Sequence, residues 1–168
     1  MATDLDGYGA KVAEPQYGNG FPRARLLALS INADPPKSTN QGSLRILRKK
    51  DGTQFVGKMT NSNAKKAKAY LKSLFMPHRP LTPYDQPLSV EIQYDFPFNK
   101  SEKKAVIRKG IVPHCRRPDS DNLMKGLLDI LSECGYWKDD SQISDIRFIK
   151  NWSASPKISL KIYEIVTD

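Results

Sequence analysis

The sequence predicts an α+β domain, a mixed β-sheet with two main α-helices packed on it, and three observations carry that prediction. Leu88 to Phe96 alternates strictly: Leu88, Val90, Ile92, Tyr94 and Phe96 lie on one face and Ser89, Glu91, Gln93 and Asp95 on the other. Two segments change to a helical period, one after Asn61 and one after about Asn122. The other apolar runs have strand length and are bounded by proline, glycine or aspartate, so strands outnumber helices.

Taken in order, residues 1–24 mix glycine, proline, tyrosine and charge without an apolar period and read as a disordered or loosely docked arm. Residues 25–168 form the domain, whose first strand starts near Leu26 in RLLALSINA and is broken by Pro35, Pro36 and Gly42. In SLRILRKKDGTQFVG, Asp51 and Gly52 between two strand-like runs signal a two-residue hairpin turn. The first helix places Ala64, Ala67, Tyr70, Leu71, Leu74 and Phe75 on one side and Lys65, Lys66, Lys68 and Lys72 largely on the other, until Pro77 and Pro80 end it. That lysine face suits phosphate or plain water equally.

After the alternating strand, stopped by Pro97, comes a loop rich in lysine and arginine. The second helix, about Asn122 to Glu133, turns Leu123, Leu127, Ile130 and Leu131 inward and Asp121, Lys125, Asp129 and Ser132 outward. Ser120 or Asp121 is expected to cap it, and Gly135 to end it in the left-handed conformation. Strands over Ile143–Trp152 and Lys157–Tyr163 complete the sheet, and Tyr136 and Trp137 read as core or dimer contacts.

Hydrophobic residues at 39% can furnish one core. The chain has neither an apolar run long enough to span a bilayer nor the basic-then-apolar order of a secretory signal, so a cytoplasmic protein without a membrane partner is expected. Two cysteines, Cys115 and Cys134, are expected to be reduced. His114 beside Cys115, with no distant pair, does not make a zinc site, and His78 is given no role.

A formal net charge of +9 attracts polyanions, and the charge is clustered. No acidic residue occurs from Gly52 to Tyr84, and seven basic residues from Lys100 to Arg117 face only Glu102. Lys37, Lys103, Lys104, Arg108, Lys109, Arg116 and Arg117 are the candidate DNA contacts, binding flanking phosphates.

That basic run leads directly into Asp119 and Asp121. If Asp119 is extended and Asp121 only starts the helix, both carboxylates can face one way; taken alone, a cap and a turn explain the pair as well. A third carboxylate from Asp139 and Asp140 in WKDDSQIS, returned by a loop to the helix flank or start, changes the weighing. Three oxygen ligands without a His or Cys pattern suit Mg²⁺, or Mn²⁺, which complete their shells with water and phosphate oxygens. Beside a basic surface they suit phosphodiester hydrolysis. Lys125, on the face of Asp121, would stabilise developing negative charge or pair with Asp121 or Asp129.

RRPDSDNLMKGLLDILSECGYWKDDSQISDIRF, Arg116 to Phe148, resembles the RusA-like Holliday junction resolvases in its arginines, Asp-x-Asp-Asn-Leu, the lysine four residues after the second Asp, and Asp-Asp-x-Gln. The DPPKSTN loop and the last strand look similar as well, so the resemblance covers most of Leu26 to Ile165. It implies a RusA-like fold and a homodimeric, Mg²⁺-dependent endonuclease that makes paired cuts in four-way DNA junctions, often of phage or prophage origin. By position it implies that Asp119, Asp121 and Asp140 hold metal and that Lys125 assists catalysis, with Asp139 and Asn122 in support. The competing readings are a non-catalytic basic DNA-binding protein, and a nuclease or phosphatase acting on RNA, other branched DNA or small phosphoesters.

Overall fold

The computed structural model describes residues 21–37, 43–59 and 62–166; residues 1–20, where the arm is expected, lie outside the described residues. The strands are β1 (Arg23–Ile31), β2 (Ser43–Arg48), β3 (Gln54–Met59), β4 (Leu88–Pro97), β5 (Ile111–Pro113), β6 (Ile143–Ser153) and β7 (Lys157–Ile165). The helices are α1 (Ser62–Phe75), the short α2 (Lys104–Ile107) and α3 (Ser120–Cys134). The main sheet has the order β1-β7-β4-β6-β5, while β2 and β3 form a separate two-stranded sheet. β4 runs parallel to β6, and the other pairs are antiparallel, so the sheet is mixed as expected.

The alternating face of β4 faces α1 and α3, and Leu88, Val90, Ile92, Tyr94 and Phe96 are buried with Leu71 and Phe75 of α1. From α3, Leu123, Leu127, Ile130 and Leu131 enter the same core, each contributing roughly 1.5–3 kcal/mol of transfer free energy. Gly135 ends α3 at φ 79° and ψ 36°, the left-handed conformation expected of it. Tyr136 and Trp137 follow into the core, where the Tyr136 hydroxyl donates to the Phe75 carbonyl at 2.9 Å and Trp137 Nε1 donates to Ser132 Oγ at 2.7 Å.

The other face of β4 is not the wet surface that its polar residues suggest, because β7 and β6 flank it and cover it with polar side chains. Asp95 is fully buried, accepting from Gln93 Nε2 at 3.0 and 2.9 Å and from Asn151 Nδ2 at 2.9 Å, with Lys157 at 3.8 Å. Arg23 begins β1 three residues before Leu26 and is itself buried. It donates to Ser89 Oγ at 2.9 Å and Glu91 Oε1 at 3.3 Å, lies 3.8 Å from Asp145 Oδ2, and sits over the Tyr163 ring at 4.4 Å.

Two local readings are corrected. Arg48 pairs with Gln54, so the hairpin loop is Lys49–Thr53 and not a two-residue turn. Asp51 Oδ1 captures the Thr53 N–H at 2.9 Å, and Gly52 takes the positive φ, whereas the two-residue type I′ turn needs it at both central residues. The basic loop after β4 also contains structure, since α2 and β5 form within it and β5 pairs with the end of β6.

Candidate active site

The site is built where β5 crosses into α3. On β6, the Lys150 ammonium donates to the carbonyls of Arg116 at 2.8 Å and Pro118 at 2.7 Å, and the Lys150 carbonyl accepts from the His114 N–H at 3.0 Å. Arg116 N–H in turn donates to His114 Nδ1 at 3.2 Å, and the Arg117–Pro118 peptide is cis. β6 therefore holds the strand-like segment that delivers the acidic pair.

Helix α3 starts earlier than the periodicity places it. Asp119 itself is the N-cap, with φ −72° and ψ 144°, and its carbonyl accepts from Leu123 N–H at 3.2 Å. Neither Ser120 nor Asp121 caps, and the Asp119 carboxylate makes no capping hydrogen bond. Asp121 is already helical, so the extended-chain spacing does not describe the pair. Asp119, Asp121 and Lys125 are exposed, and among the described residues their side chains make no hydrogen bond or ion pair. The alternative pairing of Lys125 with Asp121 or Asp129 is thus not made. Both acids stand at the positive end of the α3 dipole. Asn122 is half-buried in the same turn.

Asp139 and Asp140 lie past the other end of α3. Tyr136 N–H donates to the Leu131 carbonyl at 3.1 Å, and the next residues pair with Tyr84, which donates to the Tyr136 carbonyl and accepts from Lys138 N–H, each at 3.0 Å. Gln142 Nε2 reaches the carbonyls of Tyr84 at 3.3 Å and Gln86 at 3.1 Å. Asp139 Oδ1 accepts from Ser141 N–H and Asp139 N–H donates to Gln142 Oε1, both at 2.8 Å, a reciprocal cap on the single turn Asp140–Gln142. The Ser141 hydrogen bonds hold the Asp139 carboxyl below the ordinary carboxylate range, and Asp140 is exposed. The 15 residues of α3, about 22 Å at the usual rise, separate this turn from Asp119. Among the described residues no three His, Cys, Asp or Glu side chains stand close enough to hold a metal ion. Within one chain the loop therefore does not return the Asp pair to the start of the helix.

Next to Asp119 is a cavity of about 240 Å³ lined by Lys37, Arg116 and Arg117 on its cationic side. Phe96, Pro118 and Trp152 form apolar wall, completed by His114 and Asn99. His114 is buried, stacked on Trp152 with centroids 3.8 Å apart and planes 13° apart, and edge-on to Phe96 at 5.0 Å. Burial, with repulsion from Lys150, Arg116 and Lys37, lowers its pKa from 6.5, so the ring is neutral at pH 7. Because Nδ1 accepts from Arg116, the proton is assigned to Nε2. No sequence signal marks this role; β5–β6 pairing brings His114 to Trp152. The other expected DNA contacts, Lys103, Lys104, Arg108 and Lys109, are exposed on and beside α2, outside the cavity lining. On α1, Lys68 pairs with Glu133 of α3, with Lys72 at 3.7 Å, so that part of the lysine face joins the helices.

Exposed acids at a helix start, beside a cavity with three cations, define a domain suited to phosphate esters. The chain belongs to the endodeoxyribonuclease RusA family, whose model matches residues 34–163. It is 33% identical over 109 residues to the uncharacterized protein YqaN of Bacillus subtilis (strain 168), covering 62% of this chain and 76% of that protein. It is 44% identical over 55 residues to the crossover junction endodeoxyribonuclease of Enterobacteria phage HK97, covering 32% and 46%, and 46% identical over 39 residues to that of Escherichia coli (strain K12), covering 23% and 32%. The match spans less than half of either named endonuclease. Among the described residues no helix is long and apolar enough to cross a membrane.

Proposed function

We propose that this protein is a structure-selective DNA endonuclease that resolves four-way junctions, acting as a homodimer with Mg²⁺ or Mn²⁺. One observation carries the reading: Asp119, Asp121 and Lys125 stand exposed and, among the described residues, without side-chain partners, and Pro118 next to Asp119 lines a cationic cavity, in a chain of this family. Hard, exposed carboxylates fit such a cation, but one chain supplies an incomplete set at either end of α3. A two-fold dimer with its α3 helices antiparallel would bring Asp140 of the partner subunit to Asp119 and Asp121. Such a dimer carries two sites, matching the two-fold symmetry of a junction and its paired cuts. The small sheet offers apolar surface for association, since the cross-strand pair Ile46 and Val56 is exposed at 70% and 67%.

When bound, the cation would neutralise the phosphate and acidify an attacking water. Arg116, Arg117 and Lys37 would hold flanking phosphates against the repulsion of the carboxylates. Lys125 would stabilise negative charge growing on the phosphate oxygens. Lys150 keeps Asp119 in register with them.

The test is cleavage of a synthetic four-way junction with Mg²⁺ by wild type, Asp119→Asn and Asp140→Asn, and by a mixture of the two variants. Each variant alone should bind without cutting. In the mixed dimer both lesions fall in one site and the other is whole, so single nicks should return. Cutting by both variants alone would end the metal-site reading, and a dead mixture would end the shared-site arrangement. Separation of the acids within one chain also suits a non-catalytic junction-binding protein, the reading that wins if wild type binds and never cuts.

A further inference from the structure

The cavity beside Asp119 has features that contact with the DNA backbone alone does not require. It has an apolar and aromatic side as well as a cationic one, and among the described residues no carboxylate lines it. The Asn99 amide and the His114 Nε2–H have no partner among the described residues, leaving two polar groups to meet a ligand. The geometry points to capture of a single nucleotide of the DNA strand, its base against Phe96, Pro118 and Trp152 and its phosphate on Lys37, Arg116 and Arg117. The choice of DNA as ligand rests on the endonuclease reading.

The space suits the occupant. An enclosed apolar cavity of about 150 Å³ holds one benzene ring, so this open cleft of about 240 Å³ has room for one base. The wall is rigid, because His114 is stacked on Trp152 and tied to the Arg116 backbone. The neutral His114 ring and the Asn99 amide present hydrogen-bond groups to a base edge, where a charged ring would add only a fourth cation. Asp119 directly follows Pro118, about 4 Å along the chain, so the captured nucleotide neighbours the phosphate held at the acids.

The same arrangement explains preference for branched DNA. Taking a base out of a duplex costs pairing and stacking, and the cost is least where a base is already unpaired. At a branch point stacking is interrupted, so the pocket fills there more readily than in a continuous helix. Asn99, His114 and Trp152 are then specificity-determining residues for structure, separate from the acids.

Two measurements test this on the full chain. In the first, ¹⁵N-labelled protein is titrated with deoxynucleoside 5′-monophosphates and, separately, with inorganic phosphate. Nucleotides should move the Trp152 indole signal and phosphate should not, while the Trp137 indole, held by Ser132, stays fixed as a control. Equal shifts from phosphate, or a Trp152 signal unmoved by nucleotides, would overturn the proposal. In the second, junctions carrying one abasic position at a time around the crossover are bound by Asp121→Asn protein, which keeps the DNA uncut. One position should weaken binding about tenfold, as loss of a stacked base does, and adding Asn99→Ala should weaken that same junction no further. If every abasic junction binds like the intact one, the pocket takes no base, even though cutting by wild type would leave the endonuclease reading standing. Conversely, a Trp152 response to nucleotides in a protein that never cuts DNA keeps the pocket and removes that reading.

Discussion

Replacing Lys150 with Met tests how the acidic segment is held. The ammonium donates to two carbonyls, those of Arg116 and Pro118, and a hydrogen bond from a charged group is worth about 1.5–3 kcal/mol. The Arg116 bond is exposed and the Pro118 bond partly buried, so water recovers much of the loss, and the Met stem keeps most of the packing. The net cost is about 2 kcal/mol, a fall in Tm of about 4–8 °C for a chain of this length. The larger effect falls on cleavage, because Asp119 follows the released carbonyl directly and a misplacement of about 1 Å can cost about 100-fold. We expect single-turnover junction cleavage to drop roughly 10- to 100-fold, with junction binding reduced by no more than one lost positive charge. Removing Lys150 also removes a repulsion on His114, whose pKa should rise, a change readable by NMR titration of the ring. A Tm within about 1 °C of wild type together with an unchanged cleavage rate would refute this account.

Other variants separate structure from chemistry. Asp139→Ala removes the cap on the turn that carries Asp140 and should lower the urea midpoint slightly while retaining measurable cleavage, whereas Asp140→Asn should cut nothing and melt like wild type. His114 contributes a pH dependence whose sign follows from its lowered pKa. Below about pH 6.5 the unfolded chain binds a proton that the folded ring refuses, so stability is full above that value and falls as the pH drops toward the folded pKa. Urea midpoints between about pH 5 and 7.5 should show that slope, and His114→Gln should flatten it. Arg23→Met leaves Glu91 and Asp145 without the guanidinium between them and should destabilise by about 3 kcal/mol, the low end for a buried pair because both carboxylates reach some water. Leu127→Ala, at a fully buried position of α3, should cost about 2–5 kcal/mol in thermal or urea melts.

What could be read without coordinates was what lies within a few residues along the chain. The period-2 run of β4, the helical stripes of α1 and α3, and Gly135 at the end of α3 follow from local spacing and local φ preference, and all three stand as expected except that Tyr70, counted with the apolar side of α1, is exposed at the edge of its stripe. The hairpin was legible as a hairpin, but its loop was decided by competition between the Asp51 side chain and the backbone for the Thr53 N–H. Family resemblance was legible for the same reason: Asp119, Asp121, Lys125 and Asp140 sit within one continuous motif.

Tertiary structure decided what depends on strands distant in sequence. Pairing of β5 with β6 put Lys150 under the Arg116–Pro118 carbonyls and His114 against Trp152, turning a residue without an evident role into a cavity wall. Pairing of the segment after α3 with Tyr84 anchored Asp140 a helix length away from Asp119, where loop length alone had allowed proximity. Residue types and their spacing thus declared by themselves the mixed fold, the basic surface and the acids. Long-range hydrogen bonds between strands determined which of those groups meet within one chain, because spacing limits how far two residues can be apart and does not say where packing will put them.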